Sequence, residues 1–409
     1  SIFYKDVSFN GSIKATDASF SGVIDFPTGK TNVGYQNTTI GNNSSAVGFQ
    51  NLAQKNGASA FGYDNSASGH SSSAFGFNND ASGIGSSAVG YFNTASDVSS
   101  SAVGYENTAS GVLSSAYGNN NTASGEQSSA FGYNNNASGE KSNAVGWYNT
   151  ASGVLSSAVG RDNTASDGIS SAFGYKNIAS GNSSTAVGRD NNASDTASSA
   201  FGFYNTASAI NSTAVGYQND ASGNSSSAFG YNNDAEGIGS NAFGYFNTAS
   251  GINSSAFGFY NTASGRFSSA FGYLNDASGD YSSAVGSDNN ASRNWSHAFG
   301  RSNDASGNGS SAFGLQNDAF GDYSNTFGFQ NTAPGEKSTA FGYANTASGE
   351  KSSAFGYFNT ASDLGTCAFG RGNNASGDYS VAIGYKAKAS DGKMYFGING
   401  CETAETQIY

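Results

Sequence analysis

Apolar and polar positions in this chain recur with a period of fourteen. A small–apolar–glycine–aromatic cluster, such as Ala130-Phe131-Gly132-Tyr133, marks most units. Its glycine falls at Gly34, Gly48, Gly62 and onward to Gly384, which makes 26 units with no insertion or deletion. Each unit holds two short runs of strand character, S-A-F-G-Y and N-x-A-S. Alternation along a strand puts the Ala and Gly of the first run on one face and the Phe and Tyr on the other. The glycine of A-S-G (Gly125, Gly139, Gly349) predicts a sharp turn, with Asp or Ala replacing it occasionally.

An unbroken count carries structural information. Flexible loops tolerate length changes, because closure entropy grows slowly with length. A stack in which every unit rests on the last does not. Fourteen residues are too few for a two-helix repeat, and Gly, Asn and Ser are poor helix formers. The pattern therefore predicts an all-β fold, a parallel β-solenoid of about 26 coils. At about 4.8 Å per coil it would be roughly 120 Å long. Asn stands three residues after the marker glycine in 25 of the 26 units, as at Asn93, Asn107, Asn149, Asn247, Asn261 and Asn345. This column predicts a turn device, since Asn tolerates left-handed backbone. Stacked amides can also bond one another from coil to coil.

The column of Phe61, Phe131, Phe243, Phe257, Phe341 and Phe355 admits two readings. If Ala and Gly fill the thin interior, these rings form an outer stripe too long for a monomer to expose. Burial against copies of the same chain around a closed axis, as in a trimer, then follows. Alternatively the rings fill a single-chain solenoid. The oligomer seam is the preferred reading. Arg161, Arg189, Arg301 and Arg371 interrupt the neighbouring Tyr column and predict that it reaches the edge of any seam.

Composition sharpens this picture. Only 11% of the 409 residues are charged, and the net charge is −12. Such a chain resembles a disordered, low-complexity one, but 13% aromatics demand burial. No Lys/Arg cluster suits nucleic acid or an anionic membrane, and no apolar run approaches the ~20 residues of a membrane span. The start, SIFYKDVSFNG, has no signal-peptide pattern and reads as a processed or trimmed end. Cys367 and Cys401 define neither a disulfide framework nor a metal site.

Catalysis needs convergent, non-repeated groups. His70 and His297 lie in distant coils and read as surface residues. Asp80, Asp220, Asp234, Asp276, Asp304 and Asp318 share one column; only neighbours such as Asp220/Asp234 and Asp304/Asp318 could take a cation, and scattered solvated charge is the simpler reading. No calcium β-roll motif, P-loop or dinucleotide fingerprint is present, so no metal and no cofactor is expected. Asp and Ile178 among the Thr residues spoil a flat ice-binding array. Exposed Trp147 and Trp295 are the candidates for stacking on a glycan. Sequons at Asn136, Asn192, Asn290 and Asn374 matter only in a host that glycosylates asparagine.

The last unit, Tyr379–Gly392 (YSVAIGYKAKASDG), resembles the 14-residue head repeat of trimeric autotransporter adhesins of the YadA type. Upstream units keep its A-[FVI]-G, its second Ala and its Gly. The resemblance implies a left-handed β-roll, a homotrimer and an extracellular, cell-surface or virion-surface location. The sequence departs from that pattern in its near-constant Asn, in Phe for Ile, and in Ser for Val except at Val381. The family's coiled-coil stalk and membrane-anchor barrel are not recognisable, and similar repeats occur in viral fibres. The expected organisation is a β-rich cap or collar at 1–30, the solenoid at 31–392, and a cap or joint at 393–409. The collar region carries a pseudo-repeat, Asp6–Gly11 and Asp17–Gly22. The expected function is a non-enzymatic fibre or adhesin rod that self-associates and meets a surface receptor or glycan. A viral tail or capsid fibre, an end-to-end filament and a soluble β-solenoid that binds ice or glycan are the alternatives.

Overall fold

The computed structural model describes residues 29–390 and 392–397, and these form a parallel β-solenoid of about 26 turns with no helix. The chain divides into two compact units, 1–119 and 120–409. In the first, long strands run from Thr31–Tyr35 and Ser45–Phe49 to Ser115–Asn119. Each pairs in parallel with the strand one coil on, Thr31 opposite Ser45 and Tyr35 opposite Phe49. Two-residue strands such as Thr94–Ala95 and Thr108–Ala109 form a second ladder with the same register. The second unit repeats this arrangement from Ser129–Tyr133 to Val381–Tyr385. Identical residues therefore lie above one another, so a single inserted residue would flip every later side chain to the other face.

The interior is small. Coil 240–253 buries Ser240, Ala242, Asn247 and Ala249 completely, and its neighbours do the same. Asn is the largest side chain that fits there. Phe243 and Tyr245 point outward from the long strand, so the rings lie outside the coil and the small residues inside. The single-chain reading with Phe in the core is excluded for the described coils.

Two corners close each coil, and both are left-handed. The first is the residue immediately before the ladder Asn, such as Phe246 (φ 53°) or Tyr260 (φ 56°). The second falls seven residues on, at Asn253 (φ 54°) or Phe267 (φ 56°). Left-handed backbone costs about 1–2 kcal/mol for residues other than glycine. Stacking offsets this cost, because each corner N–H donates to a carbonyl of the preceding coil: Phe246 to Tyr231 and Phe267 to Ile252, at 2.9 and 2.8 Å. The ladder Asn itself is not left-handed, which corrects the expectation that it makes the turn.

Gly244 explains the marker glycine. It has φ 124°, and a Cβ there would collide with the Gly258 carbonyl. Gly139 has a different reason from the sharp turn expected of it. Its φ is not left-handed, but a Cβ would strike the Gly153 carbonyl, so close approach of coils selects glycine.

The expected C-terminal cap at 393–409 contributes one more strand. Met394–Gly397 pairs with Val381–Gly384 at a step of thirteen (394 − 381). Tyr395 stands where the Ala382 column would continue and packs against the end of the Ala core. The expected collar with its pseudo-repeat, except residues 29 and 30, and Cys401 lie outside the described residues.

Candidate interaction surfaces

Inside the coil the Asn side chains form a hydrogen-bonded ladder. Asn247 Nδ2 donates to Asn233 Oδ1 (2.9 Å), to Phe243 O (3.0 Å) and to Gly258 O (2.8 Å). Its Oδ1 accepts from the N–H and Nδ2 of Asn261 (3.0 and 2.9 Å). One amide thus satisfies groups in three successive coils, where water cannot reach. Asn93, Asn149, Asn261 and Asn345 take part in the same way. Asn107 also bonds Asn93 at 2.9 Å. With every polar atom turned inward and occupied, this column offers nothing to a ligand.

The outer face of the long strands carries two parallel ring columns. Phe229, Phe243, Phe257 and Phe271 stack at 4.7, 4.8 and 5.0 Å. Phe299 and Phe313 stack at 4.9 Å, and Phe341 and Phe355 at 6.0 Å further on. In the first unit Phe61 stacks on Phe75 at 5.0 Å. Phe131 occupies the same column, half-exposed, at the start of the second unit. Beside it Tyr217, Tyr231, Tyr245 and Phe259 stack at 4.8, 4.7 and 4.8 Å. First-corner residues such as Phe246 meet these rings edge-on, 4.7 Å from Tyr245. The result is a broad apolar stripe on one face.

Arginine continues the Tyr column rather than breaking it. Arg161 lies 5.8 Å from the Trp147 ring and 5.5 Å from Tyr175; Arg189 lies 5.5 Å from Tyr175 and 4.9 Å from Phe203. Cations alternate with rings, a favourable match to the ring quadrupole. Asp162 and Asp190, at the adjacent corner, pair with these guanidinium groups at 3.3 and 3.1 Å. Arg371 sits between Tyr357 and Tyr385 at 5.2 and 5.8 Å. This stacking leaves the Arg161 and Arg189 side chains 62% and 57% exposed.

The opposite face is polar. Thr248 and Thr262 are neighbours there, and so are Asp220 and Asp234. Burial raises the Asp220 and Asp234 carboxyls above the usual carboxylate range, with Glu236 adding to both and Asp220 to Asp234. Asp304 and Asp318 are raised for the same first reason, and Asp304 adds to Asp318. Among the described residues, no three His, Cys, Asp or Glu side chains group as a metal site. His297 is half-buried, and desolvation lowers its pKa.

Trp147 and Trp295 are not brought together. Trp147 belongs to the Tyr column, whereas Trp295 is a second-corner residue (φ 60°). There it ends a separate stack, Phe267–Tyr281–Trp295, with centroids 5.0 and 4.2 Å apart. Sequence reading missed this column, although aromatics at 267, 281 and 295 keep the step of fourteen. It also missed the buried Ser column, Ser44 to Ser380, whose signal is the near-constant first Ser of S-S-A.

Segments from 53–79 to 361–387 match the family profile of the YadA head domain repeat, and together they span nearly all of residues 53–387. The chain belongs to the YadA head repeat family. No curated protein matches it. The family's repeat is a structural adhesin domain of exposed surfaces, and the inward Ala and outward rings are how this member builds it.

Proposed function

We propose that the chain is a non-enzymatic fibre or adhesin head on an extracellular surface, assembled as a homotrimer through its ring columns. The observation that carries this reading is the stripe of Phe and Tyr on the outer face of the long strands. Stacking along the stripe covers ring faces but leaves edges open, and Phe341 remains 52% exposed. A soluble chain rarely leaves a patch beyond a few hundred Å² uncovered. Three copies facing one axis cover it with closed symmetry, and each copy then supports the others along its length. Filament growth end to end would leave the stripe uncovered, so lateral association is favoured. An ice-binding role has less support, because the polar face mixes Thr with Asp, Asn and Ile178.

Photo-cross-linking tests the assembly. A benzophenone-bearing phenylalanine at position 257 should yield covalent dimers and trimers and nothing larger. Monomer bands alone would overturn the seam.

A further inference from the structure

In the first unit the Tyr column is an unbroken run of rings. Tyr35, Phe49, Tyr63, Phe77, Tyr91 and Tyr105 follow one another with centroids 5.5, 4.9, 4.9, 4.8 and 5.2 Å apart. Tyr and Phe alternate along it as far as Tyr91. Tyr91–Tyr105 is therefore the contact in this run that joins two phenols, and its rings are parallel to within 4°. Phe92 meets Tyr91 edge-on from the first corner, at 4.6 Å. Beyond Tyr105 the column continues as Asn119, where the run ends. Tyr91 and Tyr105 are 39% and 42% exposed, so both rings have room to turn.

A carboxylate stands beside this pair. Glu106 follows Tyr105 at the left-handed first corner (φ 52°). A hydrogen bond to Glu106, and the charge of that carboxylate, hold the Tyr105 phenol above its usual range, and Tyr91 adds to this. A base within hydrogen-bond reach can take a phenol's proton as its electron leaves. Other stacked phenol pairs have no acid at the corner. Tyr231–Tyr245 and Tyr343–Tyr357 each stack at 4.7 Å, but the residues that follow them are Asn232, Phe246, Ala344 and Phe358. Glu106 shares its corner column with Asp64, and such charges belong in water. The Tyr105 hydroxyl, bonded to Glu106, therefore lies at the rim of the ring stripe rather than under it.

We propose that Tyr91 and Tyr105, with Glu106 as proton acceptor, are an oxidative cross-linking site, closed to dityrosine by a one-electron oxidant of the peroxidase class acting with hydrogen peroxide. Each phenol loses one electron and one proton, and Glu106 takes the Tyr105 proton and passes it to water. The two phenoxyl radicals join through the ring carbons ortho to their hydroxyls. The hydrogens on those two carbons then move to the oxygens, which restores both hydroxyls. The net change breaks two ring C–H bonds, forms one C–C bond and reduces one hydrogen peroxide to two waters. Phe has no phenol to oxidise, so Phe77 and Phe92 do not compete for the radicals. The product ties together two coils that already lie about 4.8 Å apart. The link lies within one chain, so the site goes beyond the assembly reading and stands whether or not the chain trimerises.

The full chain is treated with a haem peroxidase and limiting hydrogen peroxide. Dityrosine is followed by its fluorescence and located by mass spectrometry of proteolytic peptides. Glu106→Gln and Tyr91→Phe are run beside the wild type, each checked for wild-type circular dichroism. Gln keeps a hydrogen-bonding side chain without the base, and Phe keeps the stack without the second phenol. The expected result is a Tyr91–Tyr105 link in chains that still run singly on a denaturing gel. It should form about tenfold faster than a Tyr231–Tyr245 link, slow to that rate in Glu106→Gln and be absent from Tyr91→Phe. No such link, a link found only between chains, or a rate that Glu106→Gln leaves unchanged overturns the site. The solution mass of the untreated chain reports on the trimer separately, so either reading can fail alone.

Discussion

The inside and the outside of one coil reverse the usual distribution of residue types. Coil 240–253 buries an amide and a hydroxyl beside two Ala and carries Phe243 and Tyr245 outside. Most folds place rings in the core and amides on the surface. The reason here is width. Two strands closed by corners in fourteen residues leave room for nothing larger than Asn. Its polarity is acceptable only because every one of its hydrogen-bonding groups finds a partner. The interior thus supplies regularity, and the apolar area that would drive folding in a thicker fold is left for neighbours.

The sharpest way to break that comparison is to remove one rung of the ladder. Asn247→Ala deletes five hydrogen bonds, takes the Asn261 N–H from its acceptor and removes the amide that bonds the Gly258 and Phe243 carbonyls. A local loss of about 3–5 kcal/mol is expected from several buried unsatisfied groups. Hydrogen exchange should show it as lost protection confined to the coils flanking 247, since each coil contacts only its neighbours. Uniform protection would mean that the ladder contributes little.

Charging the outside should do the opposite. Phe243→Asp with Phe257→Asp should weaken association at least tenfold while circular dichroism keeps the β signal, because the rings are not core. Stacking within the chain is worth only about 0.5–1.5 kcal/mol per pair. Collapse of the fold instead would show that the rings hold the coil together. A smaller effect belongs to the cation column. Arg189→Ala should lower thermal stability by about 1 kcal/mol, and Arg189→Lys should recover part of it. Equal melting of all three would assign the Arg stack no energetic role.

The smallest effect lies on the polar face. Burial makes the Asp220 and Asp234 carboxyls hold a proton more tightly in the folded chain than unfolded. Between the ordinary carboxylate value near 4 and the raised one, the folded state binds more protons. Stability therefore rises as pH falls through that window, and the pair is unfavourable at neutral pH. Asp220→Asn with Asp234→Asn should stabilise the chain at pH 7 by a few tenths of a kcal/mol, small because both groups are half in water. The gain should vanish near pH 4. A loss at pH 7 would contradict the sign.

Much of the fold was legible because stacking writes itself into sequence as an unbroken count. Gly244, Ala242 and Asn247 recur for reasons that hold at every coil, so period and composition give class, register and the inward Ala. The corners were not legible. Phe246, Phe267 and Asn253 share a left-handed conformation but no residue type, because inter-coil hydrogen bonds supply what glycine usually supplies. The constant Asn stands one residue after the turn.

The central claim is that the outer ring stripe is covered by copies of the chain. Light scattering on the purified chain, at concentrations from high to low micromolar, tests it most directly. A constant mass of about three times 41.4 kDa is the result predicted. A constant mass of 41.4 kDa would show a monomer that leaves its rings in water, and would contradict the account.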